Sequence, residues 1–142
     1  MPGVSGVEVT RVGEHVFEAR NERGAAVRLG RAGQDGVFSP VELLLAAAAG
    51  CAAVTAENLV VRRVGDLSAR AEEVRAEGGH ELAEVPVALD YDLSALDGAQ
   101  REALAVAVRR AVEGLCTVTR TLKLPVPAPL ALPEPQPHGP SA

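Results

Sequence analysis

From Val7 to Arg20 the chain reads VEVTRVGEHVFEAR, with apolar and polar positions alternating at a period near two. That period predicts one or two antiparallel strands. NERG at 21–24 is a turn signal, AAVRLG at 25–30 a short returning strand, and RAGQDGVF a loop rich in Gly and Asp. At Ser39 the pattern changes. SPVELLLAAAAGC is apolar and small-sided, and no charge stands between Glu42 and Glu57. Ser39 can cap a first turn, Pro40 fits its first position, and Glu42 lies where the helix dipole favours an acid. A helix over about 40–62 follows, apolar on all sides in its middle and therefore expected to be buried all round.

The second half repeats the alternation less cleanly. LSARAEEVRAE at 67–77 is read as a strand, with Leu67, Ala69, Ala71 and a slightly out-of-phase Val74. LAEVPVALDYDLS at 82–94 is read as another, placing Val85, Val87, Leu89 and Tyr91 on one face. From Leu96 to Leu115 the spacing becomes helical, with Leu104, Val108, Ala111, Val112 and Leu115 in one stripe. LKLPVP at 122–127 reads as a final edge strand, where Pro is tolerated. Seven prolines fall between Pro125 and Ala142. The expected organisation is thus a single domain over 1–130 with a Pro-rich, poorly ordered tail over 131–142.

Composition narrows the function classes. The 142 residues are 47% apolar and 23% charged with a net charge of −5, which suits one soluble domain and excludes a basic surface for nucleic acid. Phe17, Phe38 and Tyr91 are the only aromatic residues, so the core must be built from Val, Leu and Ala. A core so thin makes an oligomer plausible. MPGVSGVEVT has neither a basic start nor an apolar core, so no signal peptide is expected. The apolar run from Leu43 to Val54 is 12 residues, short for a bilayer. The reading is a cytoplasmic protein with no membrane association.

Candidate chemistry rests on Cys51 and Cys116. They stand 65 positions apart, which excludes a CxxC redox or zinc motif. His15, His80 and His138 have no ligand spacing to one another or to a cysteine, so neither a metal nor a cofactor is expected. There is no G-x-S-x-G and no phosphate-binding Gly-rich loop after a strand. Two lone cysteines in apolar helices are most often inert packing residues. The context of each supports the alternative: Cys116 precedes TVTRT, whose hydroxyls and arginine can reach it, and Cys51 sits among small residues that let another segment approach its sulfur.

SPVELLLAAAAGC followed at this separation by LCTVTRTL resembles the paired cysteine motifs of the OsmC/Ohr family, and the N-terminal hairpin and the strand–helix order fit over residues 7–127. The resemblance implies an α+β fold in which antiparallel sheets wrap a long buried central helix, and an intertwined homodimer with its active site at the subunit interface. It implies that Cys51 attacks the O–O bond of an organic hydroperoxide and becomes a sulfenic acid. Cys116 then condenses with it to a disulfide that an external dithiol reduces. The attack needs a thiolate, which an apolar helix disfavours, so a positive or hydrogen-bonding partner is required.

The supporting residues depart from the family pattern. A glutamate expected ten residues before the first cysteine is Val41 here, and the acid stands one step later at Glu42. At about 100° per residue, Glu42 points about 180° from Cys51 and position 41 about 80° from it. The hairpin position that carries the family's arginine aligns with Glu14, leaving Arg11, Arg20 and Arg23 as hairpin candidates and Arg120 as one near Cys116. Strand alternation puts Arg11 and Arg20 on opposite faces. Thr55 and Asn58 share the Cys51 face, offset by about 40° and 20°, and can donate to a sulfur, a ligand or nearby backbone. This pattern resembles the OsmC-like branch. Besides a thiol peroxidase, the sequence admits a binding protein for a small hydrophobic molecule, and a cysteine-pair redox sensor without efficient turnover.

Overall fold

The computed structural model describes residues 5–135. The first three strands, β1 (Glu8–Gly13), β2 (Val16–Arg20) and β3 (Ala26–Gly30), form an antiparallel sheet in the order β1-β2-β3. Glu14 and His15 make the two-residue turn between β1 and β2, with His15 at φ 59, and Val12 is the extra residue of a bulge between the Arg11–Phe17 and Gly13–Val16 pairs. The register puts Val9, Ala19 and Val27 in one row and Arg11, Phe17 and Leu29 in the next, on one face. Glu18 and Arg20 take the other face, where Arg20 Nε meets Glu18 Oε1 at 2.6 Å. Gly30 closes the sheet where a Cβ would stand 2.6 Å from the His15 carbonyl oxygen, so only glycine fits. Among the described residues no helix packs across this sheet.

Helix α1 (Pro40–Val64) is 25 residues long, two beyond the expected end. Ser39 and Glu42 close a capping box: the Glu42 amide donates to Ser39 Oγ at 3.0 Å and the Ser39 amide to Glu42 Oε1 at 2.8 Å. Gly65 ends it at φ 96, its amide donating to the Val61 carbonyl at 2.9 Å. By length and apolar composition α1 is long enough to cross a membrane, which the 12-residue run did not suggest, yet here it is the element on which the second half of the chain packs. Within one chain it is buried on one face only. Ala48, Ala52, Ala56 and Val60, spaced four apart, form the buried seam, while Val54 on the far side is 76% exposed.

The strand expected over 67–77 is two: β4 (Ser68–Ala71) and β5 (Val74–Arg75). The strand expected over 82–94 is likewise β6 (Leu82–Glu84) and β7 (Val87–Asp90), divided at Pro86, which has no amide to donate to a ladder. The break lets the two halves pair differently, β5 with β6 and β4 with β7, each pair antiparallel. The β4–β7 pair lies against α1.

Helix α2 (Gly98–Leu115) starts with its own capping box, Asp97 with Gln100, and packs against α1. Leu104 and Val108 meet Ala56 and Val60 in the core, and Leu89, Tyr91, Leu96 and Val112 flank them. Each of the larger of these side chains contributes about 1.5–3 kcal/mol on full burial. The expected edge strand over 122–127 does not form. Instead α3 (Thr117–Thr121) follows α2 at once, and the amides of Leu122, Lys123 and Leu124 bond back to Val118, Arg120 and Thr121. Those amides are spent on a helical turn, and Pro125 and Pro127 have none to offer. Residues 125–135 are irregular and exposed; the expected disorder of the tail falls partly on 136–142, outside the described residues.

Candidate functional site

Cys51 stands near the middle of α1, half-buried and beside the alanine seam. Its neighbour Gly50 has open space where a side chain would project, so the helix surface next to this sulfur is bare within the chain. Cys116 is fully buried at the junction of α2 and α3. Its amide donates to the Val112 carbonyl at 3.0 Å, ending α2, and the same residue is the N-cap of α3. Because α1 packs against both α2 and α3, the two cysteines lie near each other, close enough for Cys51 to act on the charge state of the Cys116 sulfur.

The environment of Cys116 selects its charge state. Burial raises its pKa, but the Thr119 hydroxyl, then the Thr119 amide, the Cys51 thiol and the Val118 amide all favour the thiolate, and together they hold the group below the ordinary thiol range. Neither amide closes a regular cap bond to the sulfur; they act as nearby N–H dipoles. The sulfur is shut off from water, yet the protein cover around it is thin, so the desolvation penalty does not win.

The other candidates are placed as follows. Glu42 is committed to the capping box at the start of α1. Thr55 Oγ1 donates to the Cys51 carbonyl at 2.7 Å, so its hydrogen goes to the backbone rather than to a sulfur. Asn58 is exposed on α1. Arg120 Nη1 donates to the Glu113 carbonyl at 2.8 Å, tying α3 to the end of α2. Arg20 is held by Glu18. Arg11 lines a cavity of about 590 Å³ with His15, Phe17, Leu29 and Arg31, and neither cysteine lines it. Among the described residues no His, Cys, Asp or Glu cluster could hold a metal. The sequence pointed to the hydroxyls of TVTRT without choosing Thr119 among them. Its signal is a threonine three residues after a cysteine that begins a helix, the spacing at which an N-cap and its third residue face each other.

A second cavity, of about 630 Å³, opens between α1, β6, β7 and α3. Leu44, Leu82, Val85, Val87, Val112 and Leu122 give it an apolar wall, and Glu84, Thr119 and Lys123 add polar groups. Lys123 is the only lysine of the chain.

Comparison with known proteins places these features. Residues 33–130 match the model of a family described as OsmC-like protein. Uncharacterized proteins of Mycobacterium tuberculosis and Mycobacterium bovis are each 37% identical over 118 residues, covering 81% of this chain and 86% of theirs. An OsmC-like protein from Mycoplasma pneumoniae has the same fold with a TM-score of 0.64 at 16% identity, over 87% of this chain and 89% of that one. A Legionella pneumophila structure described as an organic hydroperoxide resistance protein matches with a TM-score of 0.56 at 18% identity, over 86% and 92% of the two chains.

Proposed function

The chain belongs to the OsmC-like family, and we propose that within it Cys51 and Cys116 form a thiol peroxidase that reduces organic hydroperoxides. The observation that carries this reading is the contact between two thiols 65 residues apart, one half-exposed and the other buried with its thiolate favoured. The Legionella protein of the same fold is described as acting in organic hydroperoxide resistance, which supports the same reading.

In the proposed reaction Cys51 gives its proton to the neighbouring Cys116 sulfur and attacks one oxygen of the hydroperoxide. The O–O bond breaks, Cys51 is oxidised to the sulfenic acid, and the alkoxide leaves with the relayed proton as an alcohol. The Cys116 thiolate then attacks the Cys51 sulfur and displaces hydroxide, forming the disulfide. An external dithiol returns both thiols, so no cofactor enters the cycle. A half-exposed sulfur suits the step that must meet substrate, and a buried one suits the step that must not.

The working unit in this reading is a homodimer. Among the described residues the Phe17 face of β1–β3 has no helix packed across it and the Val54 side of α1 is bare, so each is apolar surface that a second copy can cover. The open space at Gly50 lies beside Cys51, which puts the thiol at that seam. Arg11 shares the Phe17 face and pairs with no carboxylate among the described residues, so it is the hairpin cation that the second copy would supply. A soluble, cytoplasmic location accompanies this reading, with a domain ending near residue 130.

A Cys51→Ser variant is expected to lose all turnover of an alkyl hydroperoxide with a dithiol, and one equivalent of hydroperoxide should consume two thiols of the parent without linking two chains. Undiminished turnover in the variant removes the proposal. The 630 Å³ apolar cavity favours one alternative, a binding protein for a small hydrophobic molecule. Native mass spectrometry of the double Cys→Ser variant would then retain a ligand. Thiol oxidation that stops after one turnover identifies a redox sensor instead.

A further inference from the structure

The Pro-rich segment after α3 takes no part in the proposed thiol chemistry. Pro125, Pro127 and Pro129 alternate with Val126 and Ala128, so every residue from Leu124 to Pro129 is a proline or precedes one. The same holds from Leu132 to Pro135, which leaves Leu130 and Ala131 as the only exceptions within 124–135. Proline fixes its own φ, and the residue before it is confined to extended backbone. The segment is therefore a stiff polyproline II arm, about 37 Å long at about 3.1 Å per residue.

A polyproline II helix repeats every three residues, which sorts the arm into stripes. Leu124, Pro127, Leu130 and Pro133 make one, and Val126, Pro129, Leu132 and Pro135 the next. Pro125, Ala128, Ala131 and Glu134 make the third, which carries small side chains and ends in a charge. Two adjacent stripes are thus wholly apolar. In the single chain they are bare: Leu130 is 84% and Leu132 71% exposed, and no amide after Leu124 has a backbone hydrogen-bond partner among the described residues.

A surface that suits such an arm lies at its own root, in the cavity of about 630 Å³. The wall from Leu44 to Leu122 is apolar, and Lys123 stands in the lining. Glu84 lines the same cavity without an ion pair to Lys123, and Glu134 is likewise unpaired among the described residues. An apolar groove with a cation in its lining complements an apolar rod with an acid near its end. Stiffness carries the rod away from the groove beside which it starts, so the groove it fills belongs to another copy.

We propose that this arm is exchanged between two copies: residues 124–135 of each lie in the apolar cavity between α1, β6, β7 and α3 of the other, with Glu134 directed to the other copy's Lys123. The exchange gives two equivalent contacts about a twofold axis. It rests on the homodimer of the proposed function and adds the segment that ties the two chains together.

The probe is a synthetic peptide of residues 124–135, labelled for fluorescence anisotropy. The receptor is the full chain carrying Leu130→Asp and Leu132→Asp, whose own arm no longer competes. In sedimentation equilibrium these two substitutions should raise the dimer dissociation constant at least about tenfold, the worth of burying one leucine. The peptide should bind the variant saturably. Adding Lys123→Glu, at an exposed position, should weaken that binding about threefold, and a peptide with Glu134→Lys should recover it. No peptide binding, or binding indifferent to the charge exchange, overturns the arm while the parent remains a dimer. Peptide binding beside a dimer that the leucine substitutions leave unweakened assigns the groove to the chain's own arm and overturns the exchange. A parent that sediments as a monomer throughout overturns the dimer and this inference together.

Discussion

The Thr55 hydroxyl donates to the Cys51 carbonyl at 2.7 Å, one helical turn back, so the polar side chain nearest to Cys51 on its own helix is turned to the backbone. It supports the helix rather than the sulfur. Thr55→Val, which keeps shape and removes only that bond, is expected to change stability by no more than about 0.5 kcal/mol. Hydroperoxide turnover should stay within about twofold, because the carbonyl keeps its bond in the helix ladder. A steady-state assay beside a urea titration checks both expectations.

At the start of α1 the same logic separates a structural acid from a chemical one. Ser39→Ala removes the cap and should cost about 1 kcal/mol in the urea midpoint. Glu42→Gln keeps both bonds of the box and should leave that midpoint nearly unchanged. Should turnover fall in Glu42→Gln while stability holds, the carboxylate has a chemical part beyond its cap.

The Cys116 thiolate links stability to pH. Its folded pKa is depressed below the unfolded thiol value of about 8.5, so the folded chain releases this proton at lower pH than the unfolded chain. The resulting stabilisation is fully present above the unfolded value and is lost as pH falls through the folded one. Under reducing conditions, the gap in urea midpoint between the parent and Cys116→Ser should widen as pH rises from 6 to 9. A gap that stays constant or narrows contradicts the direction.

The bare side of α1 tests the assembly. Val54 is 76% exposed in one chain, and burying a valine is worth roughly 1.5 kcal/mol or more. Val54→Asp should therefore weaken a dimer that covers it, which sedimentation velocity would show as a shift to monomer over a concentration series. Thr10→Asp, on the opposite face of the hairpin from Phe17, should leave the association unchanged. Equal sedimentation of the parent and Val54→Asp places the interface elsewhere.

How much of this was legible in the sequence depended on whether the signal was local. Ser39, Pro40 and Glu42 announce α1 within four residues, and the cap they predict is the one found. The cysteine pair was legible as spacing, but its contact depends on α2 packing along the alanine seam, which no window of sequence contains. Pro86 was visible, yet the reading carried a strand straight through it; the missing amide was the warning. The misplaced edge strand at 122–127 came from trusting Leu-Lys-Leu alternation where Cys116 to Thr121 continue the helix under tertiary contact with α1. The hydroxyls of TVTRT were legible as neighbours of Cys116, but which of them lies nearest was not, because that depends on a helix beginning at Cys116.

The row Ala48, Ala52, Ala56 acts as a set of spacers between helices. One methyl group per turn fixes how near α2 lies to α1, and with it how far apart the sulfurs rest. Enlarging Ala56, five residues along α1 from Cys51, would push α2 outward and widen the gap between the sulfurs, so in the proposed cycle the pairing of the thiols is set partly by a residue with no reactive atom of its own.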